Sequence, residues 1–573
     1  MTNRRWWEIW PERLEFEIEA LKALGFDPIV DAGARAAGQI IIRFEHSVGG
    51  QTATFTAVFP HGYPRFPFEL YAPELRLGHH QNPFAGNLCL LARPSEDWRP
   101  SDHVARFLVD QLPVVVQAGT ATDLGVVEAV EEHQAEPVSV YYDHADGSLV
   151  LVDSSWSLPS ATSGSLELGV ERIEPLRAAV VEVRTAGAPP VVALDPIRAR
   201  FPTSLRARWF RVDAPILEAT PAGLLARLIA LHPDADRPQW VTHGSVEVDV
   251  IGILFPEEIA WRTAGDGWTF VLRTRPAGSR EARRRARDRR TRPASPTVSL
   301  ARAGRYGTAD MLARIPVLAP LRDRTVSVFG LGGLGAPSAL EFARAGVGCL
   351  GLLDGDVVEA GNGVRWPLGL AVAGWGKAPA IHDLIHRDWP LTRTRFARWR
   401  LGTAVAGEDH EGEALSTVLE GTDLVFDASA SLVVQRYLAD LANERGIPYI
   451  SVWSTNGGWG GVVARIRPDG QACWLCLQLA LNDRLIPHPP EDPGTRIQPA
   501  GCGSPTFTGT SFDLAPVWAA GVRLAVSTLA PDAYGAMDWD VAVVSLRDDR
   551  GGVIMPTWTT HRPGRHPRCT NHV

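Results

Sequence analysis

Cysteine and lysine are both scarce in this chain. Six cysteines in 573 residues are too few for a disulfide framework, so a secreted, disulfide-stapled architecture is excluded and the thiols are read as groups for metal binding or catalysis. Lysine occurs at two positions, Lys22 and Lys377, although Lys and Arg together number 57. Positive excess is also missing, because the net charge of -8 argues against a generic nucleic-acid binder. Neither a charged-then-apolar leader at Met1 nor an uninterrupted apolar span of membrane length is visible, so a cytoplasmic location without a membrane partner is expected. What is present is ordinary: 45% hydrophobic and 21% charged residues, in a length suited to three or four domains.

The most informative stretch runs from Thr325 to Lys377. An apolar run, Val326 to Phe329, enters Gly330-Leu331-Gly332-Gly333-Leu334-Gly335, and Ala336 to Ala345 continues with helical compatibility. This pattern predicts a strand, a glycine loop and a helix whose N-terminus faces a phosphate, with Gly330, Gly332 and Gly335 letting the backbone approach it. A second apolar run, Cys349 to Leu353, ends in Asp354, placed to accept from ribose hydroxyls. Taken alone, these features fit a dinucleotide-binding dehydrogenase. Asp356, Asn362, Arg365 and Lys377 follow, and polar and cationic groups there suit a triphosphate better. In a sequence that writes nearly every cation as Arg, the retained ammonium of Lys377 is a compact point charge for one phosphate.

The spacing of glycine loop, Asp-x-Asp, Asn-x-x-Arg and Gly-Lys resembles the ThiF/MoeB-type adenylating domain shared by ubiquitin-activating enzymes and the bacterial adenylyltransferases of thiazole and molybdopterin biosynthesis. The resemblance implies ATP and Mg2+ as cofactors and dimerisation through this domain. Arg302 or Arg305 could then belong to an arm reaching the partner protomer's ATP. In that family an aspartate three positions after the counterpart of Asp427 helps hold Mg2+. Here that place is Ala430, so either Asp427 takes the metal or metal handling differs. Relatives also close a structural Zn2+ site with two distant pairs, which here would be Cys473 and Cys476 with Cys569 and His572. His566 as fourth ligand, or no metal, are the alternatives. Cys502, in a loop of small residues, occupies the place of the reactive cysteine in thiazole-pathway relatives.

The amino-terminal segment reads differently. Trp10, Leu14, Ile18 and Leu21 recur at helical spacing, and strand-like runs follow at 39–44, 52–59 and 68–71. A proline-rich connection and then His80-Gln81-Asn82, Gly86-Asn87-Leu88-Cys89 and Trp98-Arg99-Pro100 follow, with a helix expected from near Ser101. This order resembles ubiquitin-conjugating enzymes. It implies that Cys89 carries a thioester, that Asn82 steadies the oxyanion and that His80 precedes it, although Gln81 departs from the usual proline. The chemistry requires a thiol, which is both a nucleophile and a leaving group.

Between 124 and 277, short apolar runs (138–142, 149–152, 178–183, 247–254 and 268–272) alternate with turns, and one helix is expected over 217–232. The segment 278–292 is rich in Arg and reads as a solvated linker. The expected fold class is multidomain α/β and α+β. Its parts are a ubiquitin-conjugating-like domain at 1–123, a β-rich domain at 124–277, a linker and arm at 278–315, and a Rossmann-like adenylating domain at 316–573.

The whole order resembles bacterial fused conjugating–activating proteins of antiphage operons, especially those beside cyclic-oligonucleotide synthases. That resemblance implies an ATP-dependent ligase that adenylates a protein C-terminus, captures it on Cys502, passes it to Cys89 and delivers it to a target amine. Its implied partners are a cyclic-oligonucleotide synthase or a ubiquitin-like protein, a target protein and a second copy of the chain. The competing readings are a sulfur-transfer adenylyltransferase and a nucleotide-binding scaffold without turnover.

Overall fold

The structure is a computed structural model that describes residues 5–91, 97–121, 135–158, 160–260, 263–277, 295–404, 409–494 and 507–571. Contacts divide it into two units, one comprising 1–193 with 201–305 and the other 194–200 with 306–573. Cys502 and His572 lie outside the described residues.

The first unit begins with a helix, Pro11–Ala23, which buries Leu14, Glu17 and Leu21. It covers an antiparallel sheet of β1 (Ile29–Val30), β2 (Ile40–Val48), β3 (Gln51–Phe59), β4 (Glu69–Tyr71) and β5 (Asn87–Leu88), in that order. Alternation turns Ile40, Ile42 and Phe44 of β2 and Ala53, Phe55, Ala57 and Phe59 of β3 inward. Gly49 and Gly50 join the two strands with φ of 59° and 84°, the left-handed values a tight hairpin needs. The buried Glu17 carboxylate accepts from Tyr63, Arg13 and the Val104 backbone, tying this helix to Val104–Asp110.

The remainder of the first unit is a closed barrel. Its strands are β6 (Leu149–Val152), β7 (Ser163–Arg172), β8 (Arg177–Arg184), β9 (Val191–Val192), β10 (Thr203–Arg211), β11 (Val241–His243), β12 (Val246–Ala260), β13 (Thr263–Pro276) and β14 (Thr297–Arg305). The order β10-β7-β8-β6-β14-β13-β12 closes on itself because β10 also pairs in parallel with β12, from Arg208↔Ile251 to Arg211↔Leu254. Closure leaves no free edge in the ring. The long strand β12 is buried on both faces. Val248, Val250 and Leu254 join one apolar cluster, whereas Ile251, Ile253 and Phe255 join another with the helix Pro221–Leu231.

Three expectations are corrected here. The β-rich domain does not end at 277, because β14 pairs with both β13 and β6 and completes the ring. Arg302 and Arg305 therefore lie in a barrel strand and not in an arm, with the Arg305 guanidinium held by the Ile259 carbonyl and Glu257. The run 138–142, read as a strand, is a 3-10 turn over Val138–Tyr141.

The second unit is built on an eight-stranded sheet of β15 (Thr325–Phe329), β16 (Cys349–Leu353), β17 (Arg393–Ala397), β18 (Leu424–Asp427), β19 (Tyr449–Ser454), β20 (Gly460–Ile466), β21 (Val541–Arg547) and β22 (Val553–His561). Their order is β17-β16-β15-β18-β19-β20-β21-β22. Pairing is parallel from β17 to β19 and antiparallel beyond. Helices cover the parallel half, so β16 is buried at every position, as continuous apolar runs require. The chain leaves β15 toward β16 and β17 and returns to β18 on its other side, which makes the carboxyl ends of β15 and β18 the switch point where such sheets open a crevice. The helix Ser511–Leu529 has the length and hydropathy of a membrane span, but it buries Leu514, Val517, Leu524 and Ala525 against this sheet.

Candidate functional site

A cavity of about 220 Å3 opens at the switch point. Gly332, Asn362, Arg365 and Lys377, all expected from sequence, line it together with Trp366, Ser429, Ala430, Ser454, Phe507 and Leu514. Two of the expected glycines shape the loop rather than face the cavity. Gly330 has φ 79°, and a Cβ there would lie 2.7 Å from the Ser429 backbone; one on Gly335 would lie 1.8 Å from the Gly330 carbonyl. A Cβ on Gly332 meets nothing within 4 Å, so its open side is the face left for a ligand. Trp366 clamps the same loop, its indole N–H donating to the Leu331 carbonyl at 2.7 Å.

Asp354 is buried beneath the loop. One carboxylate oxygen accepts from Leu331 N–H at 2.6 Å and the other from Asp356 N–H at 2.7 Å, so it fixes the glycine turn directly. Burial raises its pKa against the pull of Lys377. Asp356 in turn pairs with Lys377 at 3.2 Å and Arg400 at 2.8 Å. Lys377 is thus held at its ammonium by a carboxylate while it lines the cavity. The Asn362 carboxamide oxygen accepts from Glu359 N–H at 3.0 Å, and the Arg365 guanidinium lies over the Phe507 ring at 5.6 Å from its centroid. Partial burial depresses the Arg365 pKa, but a guanidinium stays charged at any physiological pH.

Asp427 is not in the cavity lining. Its carboxylate is fully buried and accepts from Ser429 N–H and from Tyr449 Oη, both at 2.8 Å, and burial lifts its pKa to about 6. It therefore braces the turn that carries Ser429 and Ala430, the latter at φ 55°. Among the described residues no carboxylate lines this cavity. The donor set does not fit a protein-held Mg2+, which favours carboxylate oxygens.

Cys89 sits in the first unit at the mouth of a second cavity, of about 230 Å3, shared with Asn82, Asn87, Leu91, Phe107 and Tyr141. It is exposed, and its N–H donates to the His80 carbonyl at 2.8 Å. The Asn82 carboxamide oxygen accepts from Phe84 and Ala85 N–H at 2.9 and 3.0 Å, which leaves the NH2 end for donation. Gln81, the departure from the expected motif, has a structural explanation. Its buried side chain accepts from Leu77 N–H and donates to the Ala72 and Gly86 carbonyls, stapling the loop. His80 contacts Glu136 through its backbone N–H at 2.8 Å and through Nδ1 at 3.3 Å.

Cys473, Cys476 and Cys569 converge in the second unit with their sulfurs within 4.8 Å of one another. The Cys473 sulfur lies 3.8 Å from that of Cys476 and 3.5 Å from that of Cys569. Tetrahedral zinc with bonds of about 2.3 Å places thiolates about 3.8 Å apart, so the three residues fit the ion. Burial pushes the Cys473 thiol up to about 11, whereas at Cys476 burial is outweighed by N–H groups and neighbouring thiols and the pKa falls. His566 is a poor fourth ligand. Its Nε2 lies 3.2 Å from Asp483 and its Nδ1 accepts from Arg568 N–H at 3.2 Å. The other expected ligand, His572, lies outside the described residues. Cys349 is core, 2% exposed in β16.

The model of the ThiF family matches residues 310–517, and that of prokaryotic E2 family B matches residues 31–150. The chain is thus a multidomain protein in which a prokaryotic E2-like domain precedes a ThiF-type adenylyltransferase domain. Over 544 residues it is 34% identical to the uncharacterized protein y4oA of Sinorhizobium fredii, covering 89% of this chain and 88% of that protein. Over 583 residues it is 32% identical to y4qC of the same organism, covering 96% of this chain and 94% of that protein. It belongs to the family of these two proteins. The chain is also 33% identical over 174 residues to a probable adenylyltransferase/sulfurtransferase, MoeZ, of Mycobacterium tuberculosis, covering 30% of this chain and 40% of that protein.

Proposed function

We propose that this protein is an ATP-dependent ligase that adenylates a protein C-terminus and conjugates it to an amine through Cys502 and Cys89. One observation carries the reading: a single chain holds a glycine-loop cavity lined by Arg365 and Lys377 and, in a separate domain, an exposed thiol on an open cavity. The incoming carboxylate attacks the α-phosphorus of ATP and pyrophosphate leaves. Arg365, Lys377 and the loop N–H groups bear the phosphate charge, with Asn362 beside them. Gly330, Gly335, Asp354, Asp356 and Asp427 hold that frame. The Cys502 thiolate then attacks the acyl carbon and AMP departs. Phe507 lines the cavity, and Cys502 is five residues upstream in sequence, a tether of at most about 18 Å. Transfer to Cys89 exchanges one thioester for another, with Asn82 steadying the oxyanion and His80 fixing the loop. An amine finally displaces the Cys89 thiolate. Zn2+ on Cys473, Cys476, Cys569 and His572 would be structural.

The resemblance to fused antiphage proteins supports a cytoplasmic homodimer in bacterial antiviral defence, with a cyclic-oligonucleotide synthase as the activated protein. A bacterial ubiquitin-like protein is the alternative substrate. A sulfur-transfer role is favoured by MoeZ, which bears that name and aligns with 30% of this chain. A scaffold without turnover is favoured by Ala430 and by the carboxylate-free cavity.

ATP–pyrophosphate exchange with candidate C-terminal peptides tests activation, and its absence would leave the scaffold. Cys502→Ala should keep exchange but leave Cys89 uncharged; Cys89→Ala should trap a thiol-sensitive adduct on Cys502. Normal charging of Cys89 in Cys502→Ala would refute the relay.

A further inference from the structure

One wall of the Cys89 cavity comes from a turn near the end of residues 31–150, the stretch that prokaryotic E2 family B matches, where the chain meets the barrel. Tyr141 lines it, and Tyr141 belongs to the 3-10 turn Val138–Tyr141 leading into the barrel. This turn is held from both sides. Glu136 takes the His80 backbone N–H and ring, while its own N–H donates to Glu258 at 3.2 Å. Ser139 donates to Glu257 through both its N–H and its hydroxyl, each at 3.0 Å. Tyr142 lies ring to ring with Phe84 at 5.5 Å and donates to the Ile216 carbonyl at 3.0 Å. A segment tied at Glu136, Ser139 and Tyr142 does not drift, so the ring of Tyr141 stands at a fixed place beside Cys89.

Its hydroxyl is unspent. Among the described residues, the Tyr141 hydroxyl makes no hydrogen bond, whereas Ser139 and Tyr142 on either side spend theirs on Glu257 and the Ile216 carbonyl. Burial raises its pKa above the usual phenol range, and the nearby Glu136 and Cys89 raise it further. A phenol in that state keeps its proton at neutral pH, including when Cys89 is a thiolate. The Asn82 oxygen is already committed to Phe84 and Ala85, so that side chain offers donors from its NH2 end.

We propose that Tyr141 is a catalytic residue of the Cys89 site, donating its hydroxyl to the oxyanion formed when an acceptor amine attacks the thioester, with Glu257 and Glu258 of the barrel holding its turn in place. The inference rests on the conjugating reading above. The amine nitrogen bonds to the carbonyl carbon, and the carbonyl electrons move onto oxygen, where the Tyr141 O–H and Asn82 N–H groups receive them. On collapse the carbon–sulfur bond breaks, Cys89 leaves as thiolate, and the amine proton passes to water. Tyr141 keeps its own proton throughout. Preorganised donors of this kind act where charge develops.

The test bypasses adenylation. The full-length chain in a Cys502→Ala background is charged on Cys89 by exchange with a short peptide thioester of mercaptoethanesulfonate, which releases that thiol, and loading is confirmed by peptide mass spectrometry. Discharge to free lysine is then followed in chains with Tyr141 and with Tyr141→Phe, which preserves the ring. The expected result is equal loading, discharge at least ~10-fold slower for Tyr141→Phe, and an unchanged lysine concentration for half-maximal rate. Rapid discharge at equal rates from both chains would overturn the role of Tyr141 while leaving the conjugating reading intact. Discharge from the parent chain no faster than from the peptide thioester would overturn both.

Discussion

Gly332 and Gly335 belong to one loop, yet alanine at each should fail in a different way. At Gly335 the new Cβ would sit 1.8 Å from the Gly330 carbonyl and 3.1 Å from the Ala428 side chain. Atoms in protein interiors do not approach that closely, so the loop must open by more than 1 Å within a packed core, at a cost of about 3 kcal/mol. At Gly332 the new Cβ meets nothing within 4 Å, and stability should change by no more than about 1 kcal/mol. That methyl group, however, projects toward the cavity where a polyphosphate would lie against the backbone. Displacing the phosphate from two charge-assisted N–H contacts, each worth about 1.5–3 kcal/mol, removes about 3 kcal/mol of binding, or roughly 100-fold in affinity. Urea unfolding followed by tryptophan fluorescence reads the first effect, and calorimetric titration with ATP reads the second. Parent-like ATP affinity in a folded Gly332→Ala chain would refute the placement of the phosphates on this loop.

Arg365→Ala and Lys377→Ala should each abolish ATP–pyrophosphate exchange while unfolding within about 1 kcal/mol of the parent, since both side chains face the cavity; full exchange in either would refute their role. Metal analysis should find about one zinc per chain, lost together with stability in Cys569→Ser. His566→Gln should retain the metal, because the His566 ring is engaged by Asp483 and Arg568. Asp427 titrates near 6 in the folded chain against an ordinary 3.8. A raised carboxyl pKa means the folded state holds the proton more tightly, so its contribution is full below about pH 4 and is lost as pH rises to 6. The loss amounts to about 3 kcal/mol. Asp427→Asn should flatten urea stability across that window, and an unchanged pH profile would refute the burial argument.

The parallel half of the second unit was legible because its signals are local. A buried strand, a glycine turn and a helix occupy consecutive residues, and Asn362, Arg365 and Lys377 follow within one crossover. Trp366 and Phe507 were missed as cavity residues because an aromatic side chain reads equally as core, and only the fold brings Phe507 back beside Arg365. Barrel closure was illegible for a different reason. The parallel pairing of β10 with β12 joins residues about forty positions apart, and nothing in either strand's alternation specifies its partner. Arg302 and Arg305 misled because the family resemblance implies an arm ahead of the adenylating domain, whereas burial of Leu300 and Ala301 in β14 binds this strand into the ring. Asp354 and Asp427 show the limit of reading carboxylates at strand ends: both are where expected, but each spends its oxygens on backbone or tyrosine donors.

The cysteines show how far environment, rather than residue type, sorts chemistry. Cys349 is enclosed in β16 and burial raises its pKa, so it offers neither thiolate nor access, the two conditions a nucleophile needs. Cys473, Cys476 and Cys569 have the opposite problem. At sulfur separations of 3.5 and 3.8 Å, deprotonating one thiol opposes deprotonating the next, and the arrangement is stable with all three ionised only around a cation. Cys89 meets neither obstacle. It is exposed at an open cavity, and no second cysteine is among the residues lining it. Its backbone is pinned by the His80 carbonyl, which keeps the sulfur placed while leaving it reachable. An acceptor amine must arrive from solvent, so the last thiol in any relay has to stand where water also stands. Aminolysis then outruns hydrolysis only if the cavity favours the amine's transition state, which is the task proposed above for the donors of Asn82 and Tyr141.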